Sequence, residues 1–172
     1  MSRRQVTLAV AVVALALLIA AAFSQRWFTA ELSSGLVAAE VRVGLTSLEV
    51  CASTELAGGC QEVAWKELSR GTGTGTGWMW IGRLTFALAL VTALALVVLA
   101  ARASGRVDLG LPLSLPRLIL RLTLAAVPLC SFYYLLAPSP ISNGMEVGRG
   151  FLFGFLGFAL ATSAAWREVE YD

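Results

Sequence analysis

The chain has 172 residues, of which 58% are hydrophobic and only 14% charged, with a net charge of +2 and no histidine. A mean hydropathy of +0.77 is far from a soluble domain, where about 25% of residues are charged. The small charge gives no basis for nucleic-acid binding. The absence of histidine removes the commonest metal ligand and neutral-pH proton shuttle.

Crossing a bilayer core takes about 20 apolar residues in a helix, and four runs reach that length, at 5–24, 80–102, 117–137 and 149–166. They leave room for one sizeable loop, 25–77, so residues 1–172 read as a single membrane domain. The first run is uncharged from 6 to 23. It has a rival reading as a cleaved leader, with Arg3 and Arg4 ahead of the apolar stretch and Ala20, Ala21 and Ala22 at its end. The stretch exceeds the ~7–15 residues of a usual leader core, so we expect it to stay as a helix.

Between 25 and 77 the helical pattern gives way to a period of two. Val37, Ala39, Val41 and Val43 alternate with Ala38, Glu40 and Arg42, as in a half-buried strand. Gly44 breaks that run, and Thr46, Leu48 and Val50 resume it toward Cys51. Phe28, Ala30 and Leu32 suggest a strand before, and Val63 with Trp65 one after Cys60. Three or four short antiparallel strands result, with a turn at Gly58–Gly59. The segment 71–77, alternating Gly and Thr, reads as a flexible tether, since it lacks the lysine of a phosphate loop.

Trp78 and Trp80 precede the second run. With Trp27, Phe28, Tyr133 and Tyr134 they are expected to form one aromatic belt, and Trp166 marks the opposite interface. The third run is interrupted by Arg121, which can snorkel, and carries Pro128, which should kink it. Pro138 and Pro140 end it. In the fourth run Gly150, Gly154 and Gly157 make one smooth face, suited to close helix packing within the molecule or to a dimer contact.

Arg3 and Arg4 precede the first run, and Arg102, Arg106, Arg117 and Arg121 crowd the link between the second and third. The long loop holds Arg26, Arg42, Lys66 and Arg70 against six glutamates. This places both termini in the cytoplasm of a plasma or inner membrane, with the loop outside.

Cys51 and Cys60 flank the Gly-Gly turn in that outer loop, where oxidation to a disulfide is expected. Free thiols and a catalytic pair are the other readings, although no Cys-x-x-Cys is present. Cys130 reads as a small packing residue in the third helix. Glu40, Glu49, Glu55 and Glu62 read as a solvated acidic face in preference to an ion-selective one.

The order Trp27, Gly44–Leu45, Cys51, Cys60 and Arg83 resembles the signature of the claudin and peripheral-myelin-protein-like tetraspan superfamily. That signature has a Trp after the first helix, Gly-Leu-Trp, two cysteines, and an Arg at the start of the second helix. Here Thr46 replaces the second Trp, five residues precede the first cysteine, and the tail ends Glu170-Tyr171-Asp172. The resemblance implies a left-handed bundle of four transmembrane helices carrying a small antiparallel extracellular sheet. It places Trp27 and Gly44–Leu45 as anchors of the sheet, Cys51–Cys60 as its disulfide and Arg83 at the sheet–helix junction.

The function expected is non-enzymatic: lateral, adhesive or accessory-subunit contacts through the outer β-domain. The partners would be the lipid bilayer and other membrane proteins or further copies of this chain, with no catalytic residue, metal or cofactor. The alternatives are a membrane thiol–disulfide oxidoreductase using Cys51 and Cys60, and a channel or transporter accessory subunit.

Overall fold

The computed structural model describes residues 3–34, 37–53, 59–64, 76–105, 114–137 and 144–169. The expectations for Gly58, Glu55, Trp65, Lys66, Arg70, Arg106, Pro138, Pro140, the tether up to residue 75 and the tail 170–172 lie outside them.

Four helices form the body: α1 (Arg3–Ala22), α2 (Thr76–Ala103), α3 (Leu115–Leu135) and α4 (Arg149–Val169). All four are long and apolar enough to cross a membrane. In lipid the backbone polar groups must pair within their own segment, which a helix does at every residue. α1 packs on α2 and α4, and α3 packs on the same two, so the helices close a ring in chain order. The second helix starts four residues before position 80, so Trp78 and Trp80 lie in its first turns and do not precede it.

One buried seam runs down each helix, with steps alternating between three and four residues. In α1 it is Thr7, Ala11, Ala14, Leu18 and Ala21, and in α2 it runs from Gly82 through Thr85, Ala89, Thr92, Leu96 and Leu99. In α3 it is Pro116, Ile119, Thr123, Ala126 and, beyond Cys130, Tyr133. In α4 it is Gly150, Gly154, Gly157, Ala161 and Ala164. An average step of 3.5 is the period of a left-handed supercoil. Most seam residues are small, which lets the backbones approach closely.

The sheet sits at one end of this bundle. Its strands are β1 (Phe28–Ser34), β2 (Val37–Val43), β3 (Ser47–Ser53), β4 (Gly59–Ala64) and β5 (Met145–Val147). The order is β4-β3-β2-β1-β5, antiparallel throughout. The first four strands follow the alternation in the sequence. The fifth comes from the second connection, between α3 and α4, and is too short at three residues for any periodicity to reveal it.

Pleating sends alternate residues to opposite faces. Phe28, Ala30, Val41, Val43 and Leu48 are buried on the side facing the helix ends. Beneath them Trp78, Met79, Tyr133 and Ala21 complete one core, separate from the alanine-rich core of the bundle.

Candidate functional site

The sheet is locked to the helices through Trp27. Its side chain is fully buried, and its Nε1–H donates to the carbonyl of Ala21 at 2.6 Å. Its backbone N–H donates to Val43 O at 2.7 Å, and its own carbonyl accepts from Gly148 N at 2.9 Å. One residue therefore joins α1, β2 and the start of α4. Its indole meets Tyr133 and Phe151 edge-on, with centroids 6.3 and 6.0 Å away.

The glycines of α4 make room for this ring. A Cβ on Gly150 or Gly154 would stand 2.7 or 2.8 Å from Trp27 ring atoms, and one on Gly157 would stand 2.9 Å from Leu18 Cγ. The smooth face thus packs against α1 and Trp27 inside the molecule.

Gly44 and Leu45 form the second tie. Tyr133 Oη–H donates to Gly44 O at 2.6 Å, and Trp78 Nε1–H donates to Tyr133 O at 2.6 Å. The rings of Trp78 and Tyr133 stack at 5.0 Å and 18°. Leu45 is buried, and its carbonyl lies so close to Gly82 that a Cβ there would approach it to 2.7 Å. Neither Tyr133 nor Gly82 is singled out by sequence as part of the junction. Only the seam spacing, seven residues from Ala126 to Tyr133 and three from Gly82 to Thr85, could have found them.

The aromatic belt expected from the sequence is therefore divided. Trp27, Phe28, Trp78 and Tyr133 are buried between sheet and helices, while Trp80 and Tyr134 are exposed. The reason is that the indole N–H and phenol O–H groups find backbone carbonyls at the junction and have no need of interfacial water. Arg83 adjoins Gly82 at the junction, but its exposed side chain turns away, with the guanidinium 5.4 Å over the ring of Trp80.

The opposite face of the sheet is acidic. One row across the strands reads Glu31, Glu40, Cys51, Cys60, and the next reads Glu146, Thr29, Arg42, Glu49, Glu62. Arg42 bridges Glu40 at 2.9 Å and Glu49 at 3.2 Å. The hydrogen bond from Arg42 lowers the Glu40 pKa, against a smaller opposing effect of burial, and the charges of Arg42 and Arg26 add to the lowering.

Cys51 and Cys60 are directly opposed in the β3–β4 register and joined as a disulfide, with Cα atoms 4.0 Å apart. Glu49 lies beside the two sulfurs. Joined sulfurs present no thiolate to a metal, so this group of three is not a metal centre. Cys130 is a free cysteine in α3.

Among the described residues, no charged side chain is buried in the bundle. No protein-family model and no curated protein matches the chain. What the structure presents is a four-helix body with a disulfide-bonded, charge-patterned β-platform seated on one end.

Proposed function

We propose that this chain is a non-enzymatic, claudin-like integral membrane protein that makes lateral, adhesive or accessory-subunit contacts through its platform. Both termini are then cytoplasmic, and the platform faces the other side of the membrane. The observation that carries the reading is the outward face itself. Five glutamates, Glu31, Glu40, Glu49, Glu62 and Glu146, share it with Arg42, which bonds two of them, and Arg26 adds only a through-space attraction to Glu40. Glu31 is directly opposite Glu40, and Glu49 opposite Glu62. Opposed like charges cost stability, so the pattern is better suited to a surface that meets a basic partner than to one that only holds a fold together. The packed seat below it, and a bundle without buried charge among the described residues to carry ions, favour contact over transport.

The test is co-purification from native membranes, with cross-linking through carboxylates. The wild-type chain should be captured with a second membrane protein or a further copy of itself. Replacing Glu31, Glu62 and Glu146 with lysine should abolish the capture while leaving the folded bundle intact. Recovery of the wild-type chain alone, under conditions that preserve other membrane complexes, would sink the contact reading.

A further inference from the structure

A notch of about 490 Å³ opens where the end of α1, the start of α4 and the sheet meet, lined by Arg26, Arg42, Arg149, Glu49, Phe23 and Phe153 among others. Its polar wall holds three arginines and one glutamate, and that glutamate is bonded to Arg42. Arg42 is bonded to Glu40 as well, so its charge is satisfied. Arg26 and Arg149 make no side-chain hydrogen bond or ion pair with any described residue; Arg26 has only a through-space attraction to Glu40. The backbone draws the two together, because Gly150 N donates to Arg26 O at 2.8 Å, which ties the Arg26 segment to the first turn of α4.

The rest of the lining is Ser24 and Gln25, which are polar, and the apolar Ala20, Phe23 and Phe153. Ala20 and Phe23 come from the last turn of α1 and the residue beyond it, and Phe153 from the second turn of α4. Phe23 is 67% exposed and Trp80, on the neighbouring helix, 61% exposed. Aromatic side chains left open at helix ends mark the level where hydrocarbon gives way to headgroups. The notch therefore has arginines at headgroup depth above an apolar floor. These basic residues also flank span ends on the side where the distribution of arginines makes positive charge unfavoured, so orientation does not account for them.

We propose that this notch binds the phosphate of an anionic phospholipid in the leaflet on the sheet side, an assignment that rests on reading the four helices as membrane spans. Arg26 and Arg149 hold the phosphate oxygens, for which the planar guanidinium offers paired donors. Phe23 and Phe153 lie along the acyl chains. Glu49, which the notch shares with the acidic face, is taken up by its bond to Arg42.

The experiment is native mass spectrometry of the full chain, released from nanodiscs containing equal amounts of phosphatidylglycerol and phosphatidylcholine. Wild type should retain phosphatidylglycerol preferentially. The double variant Arg26→Gln/Arg149→Gln should lose about tenfold in relative retention, the scale of lost charge-assisted hydrogen bonds. Lysine at both positions should restore most of the preference, and Arg83→Gln should leave it unchanged. Equal retention of the two lipids by wild type overturns the proposal without reference to any variant. So does an unchanged preference in a double variant whose disulfide and helix content are intact. Displacement of the lipid by inorganic phosphate would identify a site for free anions and overturn the lipid as occupant. Recovery of the chain outside the membrane fraction is the separate failure of the membrane reading.

Discussion

The seam of the bundle and the junction under the sheet are both fully buried, yet they are built in opposite ways. Most of the seam is Gly, Ala and Thr, with Leu18, Leu96, Leu99 and Ile119 among them, while the junction holds Trp27, Phe28, Trp78 and Tyr133. Between helices in lipid, apolar side chains gain nothing by leaving hydrocarbon for one another, so close approach of backbones has to supply the attraction. At the junction the sheet would otherwise show its apolar face to water. There the burial of large rings supplies the attraction. Three polar handles give it direction: the Trp27 indole on Ala21, the Trp78 indole on Tyr133 and the Tyr133 hydroxyl on Gly44. The seam should therefore fail when a residue is enlarged, and the junction when one is shrunk.

Trp27 and Gly154 are where the two designs meet, and they offer the largest test. Trp27→Ala should destabilise the fold by about 3–5 kcal/mol through cavity formation. Gly154→Leu should cost about 1–3 kcal/mol by overpacking, because the leucine has to enter the space of the indole. In the double variant the leucine falls into the space the indole has left, so its cost should be less than the two single costs combined. Thermal unfolding in one detergent, followed by near-ultraviolet circular dichroism, measures all three. Strict additivity would mean that the glycine row and the indole do not share one packing site.

The disulfide sharpens the comparison from the other side, since it belongs to neither core. Cys51 and Cys60 face outward and are nine positions apart. Closing so short a loop stabilises by about 2–3 kcal/mol on the chain-entropy argument. Replacing both with alanine should loosen β3 and β4 and leave the seam protected in hydrogen exchange. A redox titration separates this structural role from the thiol-exchange alternative. A midpoint below about −300 mV fits a structural bond, whereas one near −200 mV is in the range of oxidoreductases.

These contrasts also explain what could be read in the sequence. The four long apolar helices and the first four strands were legible because their periods, helical and two-residue, extend over many positions. The cysteine pair was legible because it flanks a turn. The junction was not, for two reasons. A belt aromatic and a buried one look alike in sequence, and what separates them here is a carbonyl within reach, such as Ala21 O for Trp27. The Tyr133–Gly44 bond spans 89 positions, a distance over which no local pattern operates. β5 was missed because Met145–Val147 owes its strand form to its pairing with β1. The notch was missed because Arg26 and Arg149 are far apart in the chain and meet only through the bond between Arg26 and Gly150.

The smallest expected effect lies on the outward face and is set by pH. Glu40 is about half exposed, with a side-chain accessibility of 40%, so solvent screens its interaction with Arg42. The hydrogen bond from Arg42 still holds its pKa below the ordinary value of 4.5. A carboxyl whose pKa is lowered by folding stabilises the folded state fully above its unfolded value, and that contribution disappears as the pH falls through the folded value. The pair should therefore support the sheet at neutral pH, begin to weaken below the ordinary value of 4.5 and contribute nothing once Glu40 is protonated. Both cores, with no ionised side chain buried in them among the described residues, should be indifferent over the same range. Glu40→Gln isolates the term, because it keeps the shape and removes the charge. The melting temperatures of wild type and variant should differ modestly at neutral pH and converge on acidification. If the difference instead persisted unchanged into strong acid, the Glu40–Arg42 pair would have no charge-dependent part in holding β2, and shape alone would account for the variant.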